Sequence, residues 1–160
     1  MDIKNIAIRN PDAKNFIFGQ SHFIKTVEDI HETLAESVPG IKFGIAFCEA
    51  SGPRKIRTSG NDEAMIKLAT ANAKKIACGH TFFIFMEHAF PINVLPSLKM
   101  VAEIVTIFCA TANPTEIVVA ATKLGRGVMG VIDGEAPIGV EDAEETKKRK
   151  EFLRRIGYKL

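Results

Sequence analysis

No Cys-x-x-Cys pair, no GxxxxGK[ST] phosphate loop and no apolar run long enough to span a bilayer occurs in these 160 residues. Each absence excludes a class. Cys48, Cys78 and Cys109 stand singly inside apolar stretches without a matching histidine spacing, which argues against a zinc site or a disulfide framework and for reduced, buried thiols. Without the GK[ST] loop the chain is not a P-loop enzyme, and without HRD or DFG it is not a protein kinase. Met1 to Asn10 alternates polar and apolar residues and lacks the basic-then-hydrophobic order of a signal peptide. The expectation is a soluble, cytoplasmic protein with no membrane partner.

A strong charge of either sign is also missing. Lysine and arginine number 21 against 19 acidic residues, and much of the positive excess lies between Lys147 and Lys159. A nucleic-acid binder carries a basic face interleaved with aromatic residues, so no nucleic-acid partner is expected.

The length suits one domain over residues 1–160, burying roughly two thirds of the surface its unfolded chain exposes. Ile3, Ile6 and Ile8 predict a strand closed by the turn Asn10-Pro11-Asp12, and Phe16 to Gly19 a short extended piece. Val27, Ile30, Leu34 and Val38 recur at helical spacing, with Thr26 and Asp29 placed as a capping box and Pro39-Gly40 as the stop. Ile41 to Phe47 is apolar on both faces, as in a central strand covered by helices on two sides. A polar loop, Glu49 to Arg57, precedes a helix that starts near Asn61, buries Met65, Leu68, Ala69, Ala73 and Ile76, and ends in a left-handed cap at Gly79.

Thr81 to Met86 is the most hydrophobic stretch and predicts the sheet centre; a short helix opens at Phe90-Pro91-Ile92-Asn93. Strands are expected at Ile104–Cys109, Ile117–Ala121 and Val128–Ile132, with a charged helix from about Val140 to Ile156 covering one surface. The order of elements predicts an α/β fold: one domain, a mixed sheet between helical layers.

Gly125-Arg126-Gly127-Val128-Met129-Gly130 spells GxGxxG, but a strand and turn follow instead of a helix, so it reads as a glycine-rich strand approached by another backbone. Ser59-Gly60-Asn61-Asp62 either caps its helix or offers free amides to a hydroxyl or phosphate, with Asp62 or Glu63 on an accompanying metal. Among the histidines, His31 reads as core-edge, His22 as a loop residue and His88 as the end of the central strand. His80 follows a glycine where helix passes to strand, a place for a satisfied structural imidazole or for a nucleophile or general base. Lys42 and Arg126 interrupt apolar or glycine-rich stretches and are the cations expected to meet a phosphate. Arg54, Lys55 and Arg57 form a basic loop that is either a mobile clamp or plainly solvated.

Taken in order, Gly40-Ile41-Lys42-Phe43-Gly44-Ile45-Ala46-Phe47, Ser59-Gly60-Asn61-Asp62, Gly79-His80, Phe90-Pro91-Ile92-Asn93-Val94-Leu95, Ala110-Thr111-Ala112-Asn113-Pro114 and Leu124 to Gly134 resemble the small archaeal and bacterial family of adenosine-specific kinases. The resemblance runs nearly end to end. It implies an α/β homo-oligomer, a trimer or a multiple of it, that binds adenosine or an adenine nucleotide such as ATP, with Mg²⁺ as the accompanying ion, and transfers phosphate through a phosphohistidine. On that reading His80 is the catalytic histidine and His22 the second candidate, while Lys42, Gly60, Asn61, Asp62, Asn93 and Arg126 hold the substrate. The alternative is an adenine-nucleotide-binding or sensing oligomer that transfers nothing.

Overall fold

The computed structural model describes residues 1–160. Five strands form one antiparallel sheet in the order β4 (Ile56–Gly60), β3 (Lys42–Cys48), β5 (Thr81–Glu87), β2 (Asn15–Ser21) and β6 (Ile104–Thr111). A second antiparallel sheet has the order β1 (Asp2–Ala7), β7 (Thr115–Ala121) and β8 (Arg126–Asp133). The α/β expectation holds, with every ladder antiparallel and the strands divided between two sheets.

The run Thr81 to Met86 becomes β5, the middle strand of five, because both of its faces are covered. One face presents Ile17, Phe43, Ile45, Phe47, Phe82 and Ile84 to α1 (Thr26–Ser37) and α3 (Pro91–Leu98), which contribute Val27, Ile30, Leu34, Val94 and Leu98. The other presents Phe16, Phe18, Ala46, Cys48, Phe83 and Phe85 to α2 (Glu63–Ile76) and to Ile117 and Val119 of β7. Register places Phe16 beside Phe85 and Phe18 beside Phe83, with ring centroids 5.2 and 4.5 Å apart. Each wholly buried phenylalanine contributes about 1.5–3 kcal/mol, so this cross-strand aromatic stack is a principal source of stability.

Two glycines let these layers close. A Cβ on Gly44 would land on the backbone of Met65 and Ile66, where the first turn of α2 rests directly on β3. Opposite it in the ladder, Gly60 has φ 148° and faces the carbonyl of Phe43.

Four local expectations are corrected. The Thr26/Asp29 capping box does not form: Lys25 is the N-cap residue, and the Thr26 hydroxyl is turned back toward the Phe23 carbonyl and the Ser21 hydroxyl. The polar loop ends early because Ile56 to Gly60 pairs with β3, so Ser59 and Gly60 belong to a strand and only Asp62 caps α2. The left-handed C-cap of α2 is Ala77, φ 50°, while Gly79 is instead the position where Ala50 comes close. Helix α4 (Ala143–Arg155) has a capping box between Asp142 and Glu145 but buries none of its residues, so it covers no surface of this chain. No helix is long and apolar enough to cross a membrane.

Candidate functional site

Antiparallel pairing decides which candidate residues can meet. Lys42 opens β3 opposite Glu87, the last residue of β5, whereas the far end of β3 meets the start of β5. His80, just before β5, donates its backbone N–H to the Cys48 carbonyl at 2.7 Å and accepts from the Ser21 N–H at 2.9 Å. Lys42 and His80 therefore stand at opposite ends of a seven-residue strand, about 20 Å apart at 3.3 Å per residue.

At the Lys42 end, Asn61 spends both polar atoms on the backbone: Oδ1 accepts from Phe43 N–H at 2.9 Å and Nδ2 donates to the Ile41 carbonyl at 2.8 Å. Asp62 Oδ1 accepts from the N–H groups of Ala64 and Met65, capping α2, while Oδ2 stands 3.9 Å from Lys42 Nζ. Lys14 pairs with Glu87 beside them. Asn93 is consumed by accepting from the Phe90 N–H at 2.8 Å at the start of α3, beyond the same end of β5. This end is thus held by its own side chains, and of Ser59 to Asp62 the capping alternative describes Asp62 alone. Ser59 itself is met by His31 Nδ1 at 2.7 Å, with the His31 ring edge-on to Phe43, in keeping with a core-edge residue. Replacing Asn61 with alanine is expected to cost about 1–2 kcal/mol through the two lost backbone bonds, read as a lower urea midpoint.

The His80 end is built differently. His80 and His88 flank β5, both with φ 60°, a conformation that costs a non-glycine residue about 1–3 kcal/mol and is retained only when its surroundings impose it. At His80 those surroundings are the two backbone bonds, the Phe47 ring stacked on the imidazole at 5.8 Å and 15°, and Glu49, whose Oε1 lies 3.4 Å from Nε2. The side chain is one-third exposed.

Glu49, first beyond β3, is the participant that sequence reasoning passed over; its one signal was an acid directly after a seven-residue apolar strand. Burial by itself would lift its carboxyl, but the N–H groups of Ala50 and Ser51, the Ser51 hydroxyl and His80 together outweigh that and hold it below the usual carboxylate range. Arg57, at 3.1 Å from Oε2 and anchored on the Ile24 carbonyl at 2.9 Å, completes the shell. His22 is exposed two residues after Gln20, its N–H on the Glu103 carbonyl, and is tied to this end only through neighbouring Ser21.

A cleft of about 820 Å³ adjoins this cluster, lined by Glu49, Arg54, Ile56, Lys74, Cys78, Gly79, Leu124 and Arg126 among others. Arg126 donates to the carbonyls of Lys75 and Ile76 at 3.2 and 3.3 Å, which fixes its guanidinium at the C-terminus of α2, where helix carbonyls favour a cation. Arg54 reaches the cleft while Arg57 is committed to Glu49, so the basic loop divides its roles. The cleft thiols are poor nucleophiles: burial pushes Cys78 up to about 11 and raises Cys48. The structure thus joins His80 with Arg126 at one end, and separates both from Lys42, Gly60, Asn61, Asp62 and Asn93 at the other.

The profile of the family described as adenosine specific kinase matches residues 6–159. The chain belongs to the adenosine-specific kinase family. Among solved structures it is similar to the crystal structure of PH1918 protein from Pyrococcus horikoshii OT3, with 45% identity over 99% of this chain and 98% of that one and a TM-score of 0.95. No protein in the curated set matches the chain. In this member of the family the cleft next to His80 brings together Glu49, two arginines and an apolar wall.

Proposed function

We propose that this chain is a phosphotransferase that moves a phosphoryl group from a nucleoside triphosphate such as ATP to adenosine, by way of a phosphohistidine at His80. One observation carries the reading: the imidazole, one-third exposed and held by backbone, Phe47 and Glu49, stands next to a cleft lined by its neighbours Gly79 and Glu49 and by Arg54 and Arg126. Ile56, Ala77 and Leu124 supply an apolar wall for a purine, and Arg54, Lys74 and Arg126 supply charge for phosphates. No three His, Cys, Asp or Glu side chains are gathered as metal ligands, so a Mg²⁺ in such a reaction would be carried chiefly by the nucleotide's phosphates.

Phosphoryl transfer asks a protein mainly for positioning and charge neutralisation, and that is the chemistry this end offers. Lys42, Gly60, Asn61, Asp62 and Asn93 lie at the other end of the strands, so they join the site only from a second copy. A homo-oligomer, in threes or a multiple, is the assembly that would use them.

Incubating the protein with ATP and adenosine, then resolving nucleotides and intact protein by mass spectrometry, tests the reading. ADP and AMP in equal amounts, with a protein species carrying one added phosphoryl group, is the expected outcome. Adenosine affinity without either product would make the chain a binding or sensing protein.

A further inference from the structure

Glu49 does more than neutralise charge at this end of the sheet. Its side chain is only 10% exposed, and both of its carboxylate oxygens have partners. Oε1 accepts from the N–H groups of Ala50 at 2.9 Å and Ser51 at 3.2 Å and from the Ser51 hydroxyl at 3.1 Å, and Oε2 is held by Arg57. A carboxylate fixed by this many donors is an immobile acceptor. The imidazole beside it is also restricted, because the Phe47 ring lies nearly parallel to it, so the ring keeps its plane and turns Nε2, not Nδ1, to Glu49. Which nitrogen of a histidine carries the proton is set by the partner of the other nitrogen.

We propose that Glu49 is a positioning residue that holds the His80 imidazole with its proton on Nε2, so that Nδ1 is the nitrogen that accepts the phosphoryl group. This rests on the reading that His80 is phosphorylated by a nucleoside triphosphate. The Nδ1 lone pair forms the N–P bond to the γ-phosphorus, and the bond from that phosphorus to the bridging oxygen breaks, its electron pair leaving with the nucleoside diphosphate. The Nε2 proton stays between ring and carboxylate, and the negative charge of Glu49 offsets the positive charge the ring acquires. When the phosphoryl group passes to a hydroxyl of adenosine, the N–P electron pair returns to Nδ1 and the hydroxyl proton goes to solvent. Glu49 is never consumed.

The experiment labels the full chain with a nucleoside triphosphate carrying labelled γ-phosphate and determines the phosphohistidine isomer by ³¹P and ¹⁵N NMR, in wild type and in Glu49→Gln. Wild type is expected to carry the group on Nδ1 and to show, before labelling, a single imidazole form with the proton on Nε2. In Glu49→Gln the labelling rate should fall by up to about ten-thousandfold, as when a carboxylate that orients a catalytic histidine is replaced by its amide, and the two ring forms should mix. A phosphoryl group on Nε2 of wild-type His80, or wild-type rate and isomer in a folded Glu49→Gln, overturns the assignment while leaving a phosphohistidine enzyme. Should Glu49→Gln fail to fold, the wild-type isomer alone decides. Absence of label on any histidine overturns both this assignment and the reading beneath it.

Discussion

Replacing His80 with alanine is expected to abolish phosphoryl labelling of the chain by γ-labelled ATP and, with it, formation of AMP from adenosine. The other groups at this end of the sheet cannot take its place. Glu49 is locked among donors, and burial keeps Cys78 and Cys48 protonated. Because His80 occupies φ 60°, alanine there is strained in a way unrelated to chemistry. Asparagine tolerates that conformation far better, so His80→Asn should fold closer to wild type and be equally unlabelled. The pair separates loss of a nucleophile from loss of structure. Labelling that persists in folded His80→Asn would remove His80 from the role.

The largest effect on stability is expected at Gly44. Introducing a methyl group there drives it into the backbone of Met65 and Ile66, and backbone cannot swing aside as a side chain can. Separating α2 from β3 would open the layer that contains Met65, Ala69, Ala73 and Ile76. Gly44→Ala should therefore cost at least about 3 kcal/mol, the upper end for overpacking, a large part of the roughly 5–15 kcal/mol that holds a domain folded. Gly127→Ala provides the contrast. Its Cβ would meet nothing within 4 Å and its φ is ordinary, so its urea midpoint should lie close to that of wild type. Equal midpoints for the two variants would refute the close contact between α2 and β3.

That contrast also shows what a one-dimensional reading misses. Nothing in the letters distinguishes Gly44, which has a helix on top of it, from Gly127, which has open space, because the difference lies in a helix that begins some twenty residues later. Periodicity, by contrast, was informative wherever one pattern ran for several turns or a whole strand. Val27, Ile30 and Leu34 form the buried stripe of α1, and the Thr81 to Met86 run forms the middle strand. Short segments fared worse. Ile56 to Gly60 was too polar to declare a strand and becomes one through pairing with β3, and α4 has a helical pattern without a surface to rest on.

For the site, residue type singled out His80 and Arg126, which the fold places toward one end of the sheet, but similar arguments gave Lys42 and Asn61 the same standing. Asn61 is a strand-end clasp, its amide satisfied in full by Phe43 and Ile41. Glu49 was passed over as one polar residue among several in a loop, although its carboxylate is the best-held acceptor near the imidazole.

The amino-acid sequence on its own settled the alternation of helices and strands, the apolar identity of the central strands and membership of a family, because those depend on local spacing and on strings of residues. Which end of the sheet each polar side chain occupies was decided only by tertiary structure. Antiparallel pairing brings the last residue of β3 to the first of β5 and sends Lys42 to the opposite end, and hydrogen-bond register between strands 33 residues apart at their nearest ends is not encoded in either strand alone.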